Sequence, residues 1–247
     1  MNAHPSAVPD RAYRPDIDGL RAISILSVVL FHSGLVGLNG GFTGVDIFFV
    51  ISGYLIGGQI WTELDARAFS YKRFYQRRAK RILPAFYAVT IFTLAAGLLL
   101  LSPRDLEQLG RGSIAATLSA SNILFWKTAN YFAGSSERNP LLMTWSLGVE
   151  EQFYLLVPLL MAVVARLRSR SILPTIAAVS LGSFVFACVM ASHYPMAAFY
   201  LLPARAWELG AGVLLAVAET KRKQKLVARG WAELGSVAAL VLMVTAI

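Results

Sequence analysis

Seven charge-poor apolar runs, each close to the ~20 residues that a helix needs to cross the hydrocarbon of a bilayer, recur along this 247-residue chain at about 17–38, 44–60, 82–102, 141–165, 172–191, 199–218 and 232–247. In hydrocarbon every backbone N–H and C=O must be satisfied internally, so runs of this length and spacing fold as helices. A mean hydropathy of +0.58, with only 15% charged residues, excludes a soluble domain of ordinary composition. The expected fold class is therefore all-α, a polytopic transmembrane helix bundle. It has about seven spanning helices plus one weaker, polar-edged helix at 113–125.

Orientation follows from the basic residues, which cluster at 67–81, 166–170 and 221–229. Placing all three clusters in the cytoplasm, as the positive-inside rule prefers, requires an even number of spans between them. That parity assigns 113–125 to an outer interfacial or re-entrant position, with 39–43, 103–140 and 192–198 facing outward. Residues 1–16 carry prolines and charge without an apolar core or small-residue cleavage site, and are expected to be a short cytoplasmic tail rather than a removable signal.

The net charge of +9 lies mostly in those inner segments, where it sets topology and meets anionic lipid headgroups, so no nucleic-acid partner is expected. The one cysteine, Cys188, falls in an apolar run, and His4, His32 and His193 lack a zinc-like spacing. No metal is expected. Neither a fixed-period repeat nor an inverted pair of broken helices of the transporter kind is present.

Against that apolar background, ionisable residues inside the runs point to function, because such groups are costly in hydrocarbon and persist where they face a watery cavity or a partner. Eleven residues separate Arg21 from His32, which places both on one side of a helix roughly 16 Å apart along its axis. Asp18 lies within about 40° of His32 on that face at ~100° per residue. The second run opens GGFTGVDIFFVISGYLIGG, where Asp46 suits either a helix-dipole partner or the carboxylate that orients a histidine. Ser52 and Gly53 read as tight packing rather than as a nucleophile.

In FYQRRAKRILPAFY, Arg78 and Arg81 share a helix face. They can anchor the helix at the inner headgroups or bind phosphate as bidentate forks. NPLLMTWSLGVEEQFYLLVPLL sets Glu150 and Glu151 within a span, about 100° apart around the helix, with Arg21 and Arg205 as available cationic partners. YLLPARAWELGAG places Arg205 and Glu208 one turn apart at the outer mouth of the sixth run, as an ion pair or as substrate ligands.

Taken in order, RPDIDGLRAISILSVVLFH, GGFTGVDIFFVISGYLI, FYQRRAKRILPA, NPLLMTWSLGVEEQFYLL and PARAWELGAG resemble the transmembrane acyltransferase-3 family, the O-acetylases of bacterial surface polysaccharides, over about residues 14–220. The family's Arg-x10-His pattern corresponds to Arg21 and His32, and its Arg-x-x-Arg pattern to Arg78 and Arg81; both are held to be needed for activity. The resemblance implies a multi-pass protein of the bacterial inner membrane with a cytoplasmic N-terminus. It would move an acetyl group from cytoplasmic acetyl-CoA, the donor substrate, to a hydroxyl of an envelope glycan such as O-antigen, peptidoglycan or exopolysaccharide.

Acyl transfer to an alcohol needs a base near the hydroxyl, and histidine, with an ordinary pKa of about 6.5, suits that task as base or as acyl carrier. On this reading His32 is catalytic, Arg21 balances charge, Asp46, Glu150 or Glu151 supports the imidazole or the cavity, and Arg78 and Arg81 hold coenzyme A. Residues 17–247 would form the acyltransferase domain. Family members typically carry more spans, some with an outer SGNH-hydrolase-like domain, so a partial member is expected, with an inactive fragment or a carrier of acyl or glycan groups as the alternatives.

Overall fold

The structure, a computed structural model, describes residues 14–33, 40–128, 139–168 and 171–221. Among them every regular element is helical: α1 (Pro15–His32), a 3-10 turn (Gly41–Thr43), α2 (Gly44–Asp65), α3 (Tyr71–Leu100), α4 (Pro103–Thr117), α5 (Ser121–Thr128), α6 (Thr144–Arg168), α7 (Ile172–His193), α8 (Pro195–Tyr200) and α9 (Leu202–Lys221).

Five helical stretches are long and apolar enough to cross a membrane: Gly41–Asp65, Tyr71–Leu100, Thr144–Leu167, Ile172–His193 and Pro195–Thr220. The protein is thus all-α and multi-pass. The expected seven spans become five among the described residues. The first expected run folds as α1, whose 18 residues carry Asp16, Asp18 and Arg21 and do not meet the same standard. The last expected run, 232–247, lies outside the described residues.

The expected single helix at 113–125 is instead two. Ser119 adopts φ 54°, a left-handed conformation that an L-residue enters at some cost and that interrupts the helix between α4 and α5. Neither product is a span: α4 has 15 residues and α5 has 8. The sixth run is also divided, by extended backbone at Leu201 between α8 and α9.

Local chemistry explains where the helices begin. Pro15 opens α1, with Asp16 and Asp18 in its first turn, where their charges favour the helix dipole. The Ser70 hydroxyl accepts from Arg73 N at the start of α3. At α4, Ser102 accepts from Asp105 N and donates to the Asp105 carboxylate, ahead of Pro103. On α4 the buried Leu109, Gly112, Ser113 and Ala116 oppose Glu107 and Arg111, which pair at 2.6 Å on the exposed side. The helix is amphipathic along its length, as suits a helix lying at an interface.

The chain forms two compact units. The first comprises Met1–Ala68, Leu173–Ala177 and Glu208–Ile247 and is held by small residues. Ser24 and Ser27 of α1 are buried against Gly41 and Gly44, and a Cβ added at Gly44 would strike the Ser27 hydroxyl and the Ser24 carbonyl. One added at Gly53 of α2 would fall on the Leu209 carbonyl, and one at Gly212 of α9 on the Val50 carbonyl. Gly57 abuts Val213 in the same way. Only residues without side chains let two helices approach so closely.

At the other end of this unit, Arg14 bonds Asp16 at 2.7 Å and approaches Glu219 at 3.8 Å, while the Tyr54 hydroxyl donates to Glu219. The hydrogen bonds from Arg14 hold the Asp16 carboxyl below its ordinary range.

The second unit comprises Phe69–Ile172 and Ala178–Trp207. It is held by rings and by side-chain bonds to backbone. Trp145 packs edge-on to Tyr200, with centroids 5.3 Å apart. Asn122 donates to Tyr200 O at 3.2 Å and accepts from Gln152 Nε2 at 2.8 Å, while the same Gln152 nitrogen donates to Ser119 O. The Ser183 hydroxyl sits within the first turn of α9, donating to Pro203 O at 2.7 Å and accepting from Trp207 N at 3.0 Å.

Candidate active site

In the first unit, α1 is uninterrupted from Pro15 to His32, so Arg21 and His32 keep their common side. Arg21 reaches Asp18 at 3.6 Å and lies over the Phe48 ring at 5.7 Å. His32 is exposed at the last turn, edge-on to Phe31, and its Nδ1 lies 2.8 Å from Val28 O. A carbonyl oxygen only accepts, so in neutral His32 Nδ1 carries the proton and Nε2 the lone pair. The contact spans one turn of the same helix and needs no distant residue.

Phe31 also meets Phe42, with centroids 5.9 Å apart, which joins the end of α1 to the start of α2. His32 and Asp46, in the first turn of α2, therefore lie at the same end of this unit. Glu208 belongs to this unit too and is buried, one residue before the Leu209 contact with Gly53.

In the second unit the structure gathers Arg78, Glu150 and Glu151 around Tyr154. The Arg78 guanidinium lies 4.4 Å over the Tyr154 ring and is within electrostatic reach of both glutamates. Glu150 is buried, and the Glu151 Oε1 is enclosed without a hydrogen-bond partner among the described residues. Arg81, one turn along α3, also acts on the Arg78 charge but is itself exposed, so the two arginines of the pair stand in different surroundings.

Arg205 donates from Nε to Phe199 O at 2.9 Å and lies over the rings of Phe199 and Trp145 at 5.0 and 5.8 Å. Arg205 belongs to the second unit and Glu208 to the first, since the division of α9 falls between Trp207 and Glu208.

Sequence reasoning did not single out Tyr75, Asn122, Gln152, Tyr154 or Ser183. One signal was present for Tyr154. Pro158, four residues on within α6, has no N–H to offer the Tyr154 carbonyl, which must find a donor elsewhere. Tyr75 supplies it, its hydroxyl lying 3.4 Å from Tyr154 O and 3.3 Å from Leu155 O.

Each unit thus carries its own group of ionisable residues, His32 with Asp46 in the first and Arg78 with Glu150 and Glu151 in the second. The profile of the family described as "Acyltransferase domain", the acyltransferase-3 family, matches residues 14–247, and the chain belongs to that family. Among curated proteins it is 38% identical over 150 residues to a protein of Listeria monocytogenes named "Peptidoglycan O-acetyltransferase OatA", covering 60% of this chain and 24% of that one. It is also 38% identical over 176 residues to the Staphylococcus aureus protein named "O-acetyltransferase OatA", covering 68% of this chain and 28% of that one. A further S. aureus protein, named "Putative O-acetyltransferase SAS0844", is 39% identical over 183 residues, covering 70% and 30%. The matched regions thus span less than a third of these relatives' length. No solved structure matches.

Proposed function

We propose that this chain is the membrane part of an O-acyltransferase, which passes an acetyl group from cytoplasmic acetyl-CoA to a hydroxyl of a cell-envelope glycan. It would lie in the bacterial inner membrane with its N-terminus in the cytoplasm. Membership of the acyltransferase family supports acyl transfer, and the names of the relatives favour an oxygen acceptor and an acetyl donor. Peptidoglycan, which the name of the Listeria relative specifies, is the first acceptor to test.

The observation that carries the reading is the contact of His32 Nδ1 with Val28 O. With Nδ1 as the donor, Nε2 carries the lone pair that would take a proton or an acyl group. In the direct course, Nε2 takes the proton of the acceptor hydroxyl while that oxygen attacks the thioester carbonyl carbon; the C–S bond breaks, and the proton passes to the departing thiolate. In the stepwise course, Nε2 attacks the carbonyl carbon and the C–S bond breaks to release the thiolate; the sugar oxygen then attacks the same carbon, the C–N bond breaks, and the hydroxyl proton passes through the freed imidazole to the thiolate.

Asp46, at the same end of the unit, supports the positive imidazole that either course creates. Arg21, paired with Asp18, fixes a compensating charge lower on α1. The phosphates of coenzyme A fall to Arg78 and Arg81, through the fork geometry that suits them.

The test is transfer of label from acetyl-CoA to peptidoglycan in membranes carrying the chain, beside His32→Ala at equal expression. The variant should lose at least about 100-fold of the rate, the usual scale for a positioned base. Label incorporated equally by both would remove His32 from the chemistry.

A further inference from the structure

We propose that Tyr75 and Tyr154 are positioning residues that hold the Arg78 guanidinium for the phosphate groups of the acyl donor. The inference rests on reading Arg78 as a donor ligand. Tyr75 and Arg78 are three apart on α3 and project from one face. The first ties α3 to α6, and the second lies on the residue tied. The Tyr75 hydroxyl bonds the carbonyls of Tyr154 and Leu155 where Pro158 interrupts the hydrogen-bond ladder of α6. Pro158 leaves the Tyr154 carbonyl without its partner inside the helix, so the Tyr75 hydroxyl, 3.4 and 3.3 Å from the two carbonyls, links α3 to α6 at that point.

The stacked guanidinium then follows from the tie. With its centre 4.4 Å over the Tyr154 ring, Arg78 is held by attraction to the ring's π face, and the fork of its N–H groups suits a bidentate acceptor. Glu150 and Glu151 act on the same charge. An unstacked arginine would be free to swing toward them, and binding a phosphate would then require withdrawing it. Ordering the side chain beforehand lowers the entropy lost when the donor binds.

The experiment measures the equilibrium binding of radiolabelled coenzyme A to the full chain in detergent, with a thermal melt of each variant alongside. Arg78→Ala should bind about tenfold more weakly. Tyr154→Leu, which removes the ring, should weaken binding about three- to tenfold, and Tyr154→Phe, which keeps it, should bind within about twofold of the parent. Tyr75→Phe, one oxygen smaller and tolerant of folding, should weaken binding about threefold. The double variant Tyr154→Leu with Arg78→Ala should bind no more weakly than Arg78→Ala alone, a coupling that loss of general stability would not produce.

If the parent binds no coenzyme A, or Arg78→Ala binds as the parent does, the donor-ligand reading falls and the positioning role falls with it. If Arg78→Ala weakens binding while Tyr75→Phe and Tyr154→Leu bind as the parent does, only the positioning role falls. Equal loss in Tyr154→Phe and Tyr154→Leu would also overturn it, since the shared ring would not then be what acts.

Discussion

The two units carry ionisable groups on apolar helices by different means. The first brings backbones together until nothing larger than a hydrogen atom fits, at Gly53, Gly57 and Gly212, and at Gly44 against Ser24 and Ser27. The second joins its helices chiefly through rings and through amide or hydroxyl groups bonded to backbone: Tyr75, Asn122, Trp145, Gln152 and Ser183. Close backbone contact is stiff and intolerant of added volume, whereas a bridged contact depends on particular polar atoms. A residue's sensitivity should therefore follow the unit in which it stands. His32 stands in the stiff unit, on a helix whose own carbonyl orients it, and Arg78 in the bridged one, where two tyrosines do that work.

The largest effect that sharpens this contrast is expected at Gly53. Gly53→Leu should leave no folded protein, and Gly53→Ala should lower stability by about 1–3 kcal/mol through overpacking, because even a methyl group meets the Leu209 carbonyl. Gly182→Ala, at a position with open space around it, should instead be neutral or stabilising by up to about 1 kcal/mol. Thermal melts of the purified variants check both. Equal behaviour at Gly53 and Gly182 would break the comparison.

In the second unit the equivalent sensitivity is polar. Asn122→Leu fits by size but strands the Tyr200 carbonyl and the Gln152 amide, and should lower stability by about 1–3 kcal/mol. Asn122→Asp, which loses the donor to Tyr200 O and sets a buried carboxylate against that carbonyl, should cost at least as much.

A smaller effect is expected at Tyr75. Tyr75→Phe should lower stability by about 1 kcal/mol by leaving the Tyr154 carbonyl without its donor. Pro158→Ala restores a backbone N–H to that carbonyl, so the double variant should recover the melting temperature. Coenzyme A binding should not recover with it, because the tie between α3 and α6 remains cut.

The smallest effect concerns Asp16, on the exposed Arg14 contact. Its folded pKa is lowered from the ordinary 3.8 by the hydrogen bonds from Arg14. Its contribution is therefore fully present above pH 3.8 and is lost as pH falls through the lower folded value. The difference in melting temperature between the parent and Asp16→Asn should be small, steady from pH 7 to about pH 5 and gone in strong acid. A difference that grew on acidification would contradict the sign.

How much of this was legible beforehand varied with the range of the interaction. The second through sixth apolar runs correspond to the five spanning stretches, because hydropathy over about 20 residues is enough to place a helix in a bilayer. The break between α4 and α5 was not legible. Leu118, Ser119 and Ala120 include neither Gly nor Pro, and the left-handed turn at Ser119 is held in part by Gln152, 33 residues away, which donates to its carbonyl. Arg78 and Arg81 looked equivalent from their spacing, yet one is stacked on Tyr154 and the other is exposed.

The sequence alone determined the membrane class, the family and the common side of Arg21 and His32, for these depend on composition, motif order and the pitch of one helix. Only the tertiary structure decided that Gly53 and Gly212 are contact points between helices, that Tyr75 answers the carbonyl Pro158 leaves bare, and that Arg78 rests on Tyr154. Each of those depends on how one helix is rotated and shifted against another, which no periodicity within a single helix specifies.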